Sequence, residues 1–252
     1  MMAATLDALE AYRPIIRSVL LAIILLGLWA GLKRTPFDHR TRAITWLAIA
    51  LPLMTWFAVI WHLAQFNAFR TAPDIRLPAI PLAIAIPVVT GLILLTRSQR
   101  VATLLASVPP SWLIGIQVFR VFGFVFLVRW AHGQLPGAFA LPAGTGDVLV
   151  GLLALPVALY VQCGARGGRA AAYAWNVLGI ADFVVAVTMG TLTSPGRLQL
   201  FALDQPNSVT GDASLVLIPA FFVPLFTILH GLSLWQLKQA ARPGDFRTTA
   251  RA

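Results

Sequence analysis

Long apolar runs separated by short polar segments form the main pattern along the chain. Within these runs the apolar residues are continuous, and most runs approach about 20 residues, the length at which an α-helix crosses the hydrocarbon core of a bilayer. A transmembrane β-barrel is disfavoured because its strands would alternate between apolar and polar positions. The pattern therefore predicts an all-α, polytopic integral membrane helical bundle.

Seven of these runs are predicted to be transmembrane helices of a single membrane domain, residues 1–237. The remaining residues, 238–252, form a basic tail that is expected to be disordered and cytoplasmic. The predicted spans are about 15–32, 43–67, 77–95, 111–130, 145–162, 171–191 and 214–237.

The composition agrees with a membrane location, because 58% of the residues are hydrophobic and only 11% are charged. So few charges could not cover a soluble surface. The net charge of +10 would suggest nucleic-acid binding in a soluble protein. In a membrane protein, basic residues instead fix orientation and contact anionic lipid headgroups at the cytoplasmic face. We therefore expect the lipid bilayer, and no nucleic acid, as partner.

Basic residues are distributed unequally between the two sets of loops. The loops 33–42, 96–100 and 162–169 and the C-terminal tail together hold twelve Lys and Arg residues, and the loops on the other side hold six. The more basic set is expected in the cytoplasm. The predicted topology is therefore N-out/C-in, with seven spans. The chain has the general look of small bacterial membrane proteins, so the expected location is a bacterial inner membrane.

Two charged residues lie deep inside predicted spans. Arg120 is nine residues into the fourth span, about 14 Å along the axis, and Asp182 is eleven residues into the sixth, about 16 Å. Both spans run in the same direction, so the two charges are expected at similar depth and paired. Gln117 and Asn176, on the same two helices, complete the predicted buried polar centre.

A second polar group is predicted at the outer end of the bundle. Thr145 is expected to cap the fifth span, which places Asp147 in its first turn, where a carboxylate also suits the helix dipole. Asp147 could serve only as a cap, or it could point into a pocket. The predicted outward-facing pocket consists of His62, Gln65, Arg129, His132 and Asp147.

Sequence motifs for membrane enzymes are missing. The chain contains neither the G-x-S-x-G of a serine hydrolase nor the H-E-x-x-H of a zinc protease. Cys163 is the one cysteine, so an internal disulfide is impossible, and no metal-ligand spacing is present. We therefore expect no catalytic residue, no metal and no cofactor.

Three classes of function remain open. The first is an accessory or structural membrane protein in which the Arg120–Asp182 contact fixes helix packing. The second is a protein that binds or transports a small molecule, a lipid or protons through the same centre. The third is a membrane enzyme that acts on a lipid-like substrate. These alternatives leave room for a small ligand or a membrane-protein partner.

Overall fold

The computed structural model describes residues 2–71 and 79–239, and the side chains of residues 15–71 and 79–239. Within these ranges the chain is all-helical, without strands, and seven helices are long and apolar enough to cross a membrane. The predicted disordered tail lies outside the described residues from 240 onward. The helices are α1 Met2–Lys33, α2 His39–Gln65, α3 Ala79–Arg97, α4 Gln99–Ser107, α5 Pro110–Ala131, α6 Gly137–Gln162, α7 Gly168–Thr193 and α8 Ile218–Gln239.

The start of α6 differs from the sequence-based expectation by eight residues. The helix begins at Gly137 rather than near Thr145, so Thr145 is not an N-cap. Its hydroxyl instead donates to the carbonyl of Leu141, 2.6 Å away, within the helix. Glycine and proline residues suggested a loop here, but membrane helices accept both when neighbouring helices pack closely around them. Asp147 therefore lies well inside α6.

The middle of α5, Ile116–Gly123, is wound as a 3₁₀-helix. Residues three apart eclipse one another in this winding, and runs of this length are uncommon. Gln117, Arg120 and Gly123 consequently share one buried face. The same spacing of three continues in both directions along α5, and its buried positions are Ile114, Gln117, Arg120, Gly123, Phe126 and Arg129.

Small residues let α5 and α6 approach closely. A Cβ added at Gly123 would overlap the side chain of Asp147, and one added at Gly151 would lie 2.6 Å from the backbone nitrogen of Val121. Glycines at helix contacts allow backbones to approach in this way. The close approach brings Asp147 of α6 within reach of Arg120 on α5.

The centre of the bundle is α8. In the most apolar stretch of α8, 67% of the residues are buried, whereas in the corresponding stretch of α3 only 6% are buried. Phe221, near the start of α8, is fully buried and packs against Trp56 and Phe57 of α2. Leu20 of α1 belongs to the same apolar cluster. The other spans are therefore arranged around α8.

Polar contacts join the helices at both ends of the bundle. At the end that carries Lys33, here termed the basic end, Ser111 donates to Gln162 at 2.6 Å. Gln236 of α8 donates there to the carbonyls at the end of α4. At the end that carries Arg70, here termed the opposite end, Gln205 donates to the Gly133 carbonyl at 2.6 Å. Each end is thus held by contacts between segments distant in sequence.

Candidate functional site

Arg120 lies at the centre of a buried cluster that two carboxylates share. Its Nε donates to Asp147 Oδ1 at 2.9 Å, and its Nη2 donates to Asp182 Oδ2. The ring of Phe183 covers the guanidinium, with 3.7 Å between Cζ and the ring centroid. The side chain of Arg120 is 1% exposed. The cluster therefore holds one cation and two acidic groups away from bulk water.

A neutral histidine adjoins the arginine. Asn176 Nδ2 donates to the carbonyl of Ala172 at 2.8 Å and to Ser233 Oγ at 3.0 Å, which fixes the orientation of the amide. Asn176 Oδ1 then faces His230 Nδ1 at 2.9 Å, so Nδ1 must carry a hydrogen. His230 Nε2 lies 3.0 Å from Arg120 Nη1, which can only donate. Nε2 is therefore unprotonated and accepts from Arg120.

This geometry predicts the tautomer of His230. Solid-state NMR of protein labelled with ¹⁵N-histidine should show one residue protonated at Nδ1 and unprotonated at Nε2, because Asn176 and Arg120 impose those roles. A His230→Gln variant should lack that pair of resonances, which assigns them among the four histidines of the chain. A signal from a doubly protonated ring at this position at neutral pH would contradict the assignment.

Two glycines make room for the cluster. A Cβ added at Gly146 would overlap the carboxylate of Asp182, and one added at Gly179 would overlap the ring of His230. The carbonyl of Gly179 also accepts from Arg120 Nη1 at 3.3 Å. Arg120 and His230 can therefore approach the backbone of α7 only because position 179 has no side chain.

Members of the predicted buried centre lie in different surroundings. Arg120 contacts Asp182, whereas Asn176 contacts His230 and Ser233. Gln117, expected near Arg120 or Asn176, instead donates weakly to the carbonyl one turn earlier on its own helix, at 3.5 Å. Its buried Oε1 has no hydrogen-bond partner within the described chain.

The residues predicted to form an outer pocket are dispersed. Asp147 lies on Arg120 rather than at the rim, because α6 begins earlier than expected and α5 is 3₁₀-wound. His62 and Gln65 are exposed near the end of α2. The ring of His62 lies against Phe66, 4.9 Å between centroids. Neither His62 nor Gln65 lines a cavity described below that reaches Asp147.

Arg129 and His132 remain near the end of α5. Arg129 Nη1 donates to Gln134 Oε1 at 2.8 Å, and His132 Nδ1 lies 2.7 Å from the carbonyl one turn earlier. Burial raises the pKa of the Asp212 carboxyl, and the positive charges of Arg129 and Arg70 offset part of that rise. The positive charge of Arg129 therefore favours the ionised form of Asp212 in the loop before α8.

The buried polar centre predicted from the sequence did not include His230 or the two polar residues on the same helix face, Thr227 and Ser233. In the structure Thr227 bonds within its own helix, whereas His230 and Ser233 join Asn176. The position of His230 deep inside the last predicted span was a sequence signal that it belongs to the cluster. This signal could not be interpreted without knowing that α8 is the central helix.

Two cavities reach Asp147 from different sides. One, of about 110 Å³, lies between α3, α6 and α7 and extends to Arg70, Arg197 and Thr210 at the opposite end. The other, of about 100 Å³, lies between α1, α5 and α8 and also borders Arg120. A water needs roughly 10–15 Å³ on this measure, so each cavity has room for several. Water can therefore approach the cluster from the opposite end.

A large part of the chain matches a protein family. Residues 77–238 match the model of the family described as Domain of unknown function (DUF8737). The chain belongs to this family. The DUF8737 region contains α3–α8 and every residue of the Arg120 cluster, whereas α1 and α2 precede it. No curated protein and no solved structure is significantly similar to the chain.

Proposed function

We propose that this membrane protein conducts protons across the membrane. The Arg120 cluster would be its protonation site. The observation that carries the proposal is that Arg120 contacts two carboxylates, Asp147 and Asp182. One carboxylate would be enough to neutralise the guanidinium. The second gives the ionised cluster a formal charge of −1 inside the membrane.

A surplus negative charge at this depth is unfavourable without a counter-ion or a proton. Among the described residues, Arg120 is the basic group that forms ion pairs with Asp147 and Asp182. His230 does not supply a second positive charge, because its Nε2 accepts from Arg120. The pair of carboxyl groups is therefore the place where a proton binds most easily.

The surroundings support an entry path on one side and hold an ordered polar network on the other. The cavity of about 110 Å³ connects Asp147 with Arg70 and Arg197 at the opposite end. On the other side, hydrogen bonds join Arg120, His230, Asn176 and Ser233 in the direction of the basic end. The guanidinium and the amide of this network do not relay protons, so in this proposal a proton leaves toward the basic end only when the guanidinium moves and water enters.

The distribution of charge supports an orientation for this path. Basic residues such as Lys33, Arg97 and Arg166 favour a cytoplasmic location for the basic end. In this proposal the chain lies N-out/C-in in a bacterial inner membrane. Protons then enter the cavity near Arg70 from outside, which is the direction of the proton gradient in respiring bacteria.

An architectural role is the alternative, because the cluster joins α5, α6, α7 and α8. It has specific support in the glycines at 146 and 179, which fit the packing around Asp182 and His230. A packing role alone leaves the second carboxylate unexplained, so proton handling is the proposal that accounts for more of the geometry. A membrane enzyme receives no comparable support from the contacts of the cluster.

Proton flux tests the proposal directly. In proteoliposomes with a potassium diffusion potential, the wild-type protein should acidify or alkalinise the lumen faster than protein-free vesicles. Asp147→Asn and Asp182→Asn should each lower that flux by about tenfold or more, since general acid–base groups contribute factors of this order or larger. Each variant should remain folded, because Arg120 keeps one carboxylate and the surplus charge is removed.

Asp204→Asn is the matched control, since Asp204 is an exposed carboxylate in the loop between α7 and α8. It should retain wild-type flux. A wild-type flux equal to that of protein-free vesicles, under both polarities of the potential, would contradict a conducting protein. Unchanged flux in both cluster variants would remove the cluster from the pathway.

A further inference from the structure

A large apolar cavity lies away from the Arg120 cluster. Its volume is about 1010 Å³, at the upper end of the range for small-molecule sites. It is lined by residues of α1 to α6 and of α8, and is here termed the lateral cleft. Representative lining residues are Gly27, Trp56, Leu94, Phe119, Leu155 and Ile228.

The lateral cleft is open toward the lipid. Leu94 and Leu155 line it and are 70% and 49% exposed, respectively, so they also face the surroundings of the bundle. In a bilayer such an opening gives acyl chains direct access from the side. An apolar volume of this size, next to lipid, is therefore suited to hydrocarbon chains rather than to a polar solute.

The part of the lateral cleft at the basic end is polar, and basic residues lie next to it. Ser111, Trp112 and Gln162 line it, and Ser111 donates to Gln162 at 2.6 Å. The guanidinium of Arg34 lies over the ring of Trp112, 4.8 Å from its centroid. Lys33 lies beside Arg34 in sequence, 6.0 Å from the ring of Trp29. This part of the cleft is suited to an anionic headgroup.

We propose that the lateral cleft binds one anionic phospholipid. Its acyl chains lie between the α1–α2 pair and α5–α6, and its phosphate lies near Arg34 and Trp112. The shape and the charge of the cleft support the same occupant, because the apolar body and the cationic end match the two parts of the lipid. The α1–α2 pair precedes the DUF8737 region, so this site depends on helices outside the region that defines the family.

Position 27 is suited to a substitution that fills the cleft. A Cβ added there meets no atom within 4 Å, so the position faces open space. Gly31, one turn later, is different: a Cβ there would lie 3.1 Å from Leu104 and 3.2 Å from Val108. A large side chain at position 27 can therefore fill the cleft without displacing packed atoms. Leu26 is 67% exposed and does not line the cleft.

Lipid retention by the purified full chain tests the proposal. The protein is incubated in mild detergent with an equimolar mixture of palmitoyl-oleoyl phosphatidylglycerol and phosphatidylcholine, and retained lipids are counted by native mass spectrometry. Wild type should retain one phosphatidylglycerol in preference to phosphatidylcholine. Gly27→Phe should lose it, and the smaller Gly27→Leu should weaken it. Leu26→Phe is the matched control and should retain it as wild type does.

A charge variant separates headgroup recognition from chain binding. Arg34→Gln should still retain lipid but lower the preference for phosphatidylglycerol about fivefold, the effect of roughly one basic residue near an anionic headgroup. Thermal unfolding of each variant, followed by light scattering, checks that it is folded. Equal retention by folded Gly27→Phe and Leu26→Phe, or equal retention of the two lipids by wild type, would overturn the proposal. Loss of folding in both Gly27 variants would also overturn it, because the cleft would then be closed by packing.

Discussion

Replacing Arg120 by alanine is expected to destabilise the folded protein by about 3–5 kcal/mol, as in other cases where one partner of a buried ion pair is removed. The variant leaves Asp147 and Asp182 buried side by side without their shared cation. It also leaves His230 Nε2 and the carbonyl of Gly179 without the hydrogen bonds that Arg120 donates to them. The expected result is a strongly lowered midpoint of thermal unfolding in detergent and a lowered yield from membranes.

A rescue variant separates the architectural and proton-handling roles. Arg120→Met combined with Asp147→Asn and Asp182→Asn removes all three charges and should recover most of the lost stability. A variant that lacks only Arg120 and Asp182 would not recover this stability, because Asp147 would remain buried without a cation. Proton flux should remain absent in the rescued protein. A rescued protein with wild-type flux would favour a purely architectural cluster.

Replacing Gly146 by alanine is expected to destabilise the protein by about 1–3 kcal/mol through overpacking. The added Cβ would occupy the position of the Asp182 carboxylate, so Asp182 must move away from Arg120 or α6 must move away from α7. A single methyl group thus disturbs the ion pair itself. Proton flux should fall with the loss of this contact, and the unfolding midpoint should fall as well.

Gly27→Ala provides the matched comparison, since it is the same substitution within another long apolar helix. The added methyl group meets no atom within 4 Å, and alanine favours helix over glycine by roughly 0.5–1 kcal/mol. Its unfolding midpoint should therefore be unchanged or slightly raised. Equal destabilisation by both substitutions would indicate a general effect of losing a helical glycine rather than a contact with Asp182.

The number of long apolar helices and the contact of Arg120 with Asp182 could be inferred from the sequence, because both depend on counting residues along apolar runs. Asp147 was placed at the rim by the same counting, started from the wrong residue. It lies ten residues past Gly137, about 15 Å into α6. Two of the signals for a loop before Asp147, Gly144 and Gly146, are instead the positions that allow close packing on α5 and α7.

The winding of α5 had no distinct signal in its composition. Apolar residues surround Gln117 and Arg120 in either an α-helix or a 3₁₀-helix, and the spacing of three between Gln117, Arg120 and Gly123 becomes informative only once all three are known to be buried. His230 was missed as a partner of Arg120 for a related reason. Its place depends on which helix occupies the centre of the bundle, which is a property of the assembled fold.

The 3₁₀ winding of α5 also ties the length and rotation of one membrane helix to the chemistry of the cluster. The six residue steps from Gln117 to Gly123 make two full turns at three residues per turn, but about one and two-thirds turns in an α-helix. Rewinding Ile116–Gly123 as an α-helix would shorten it by about 4 Å and turn Gly123 away from the face of Gln117. A bulkier residue would then face Asp147. The helical pitch of α5 thus determines whether Asp147 can reach the guanidinium.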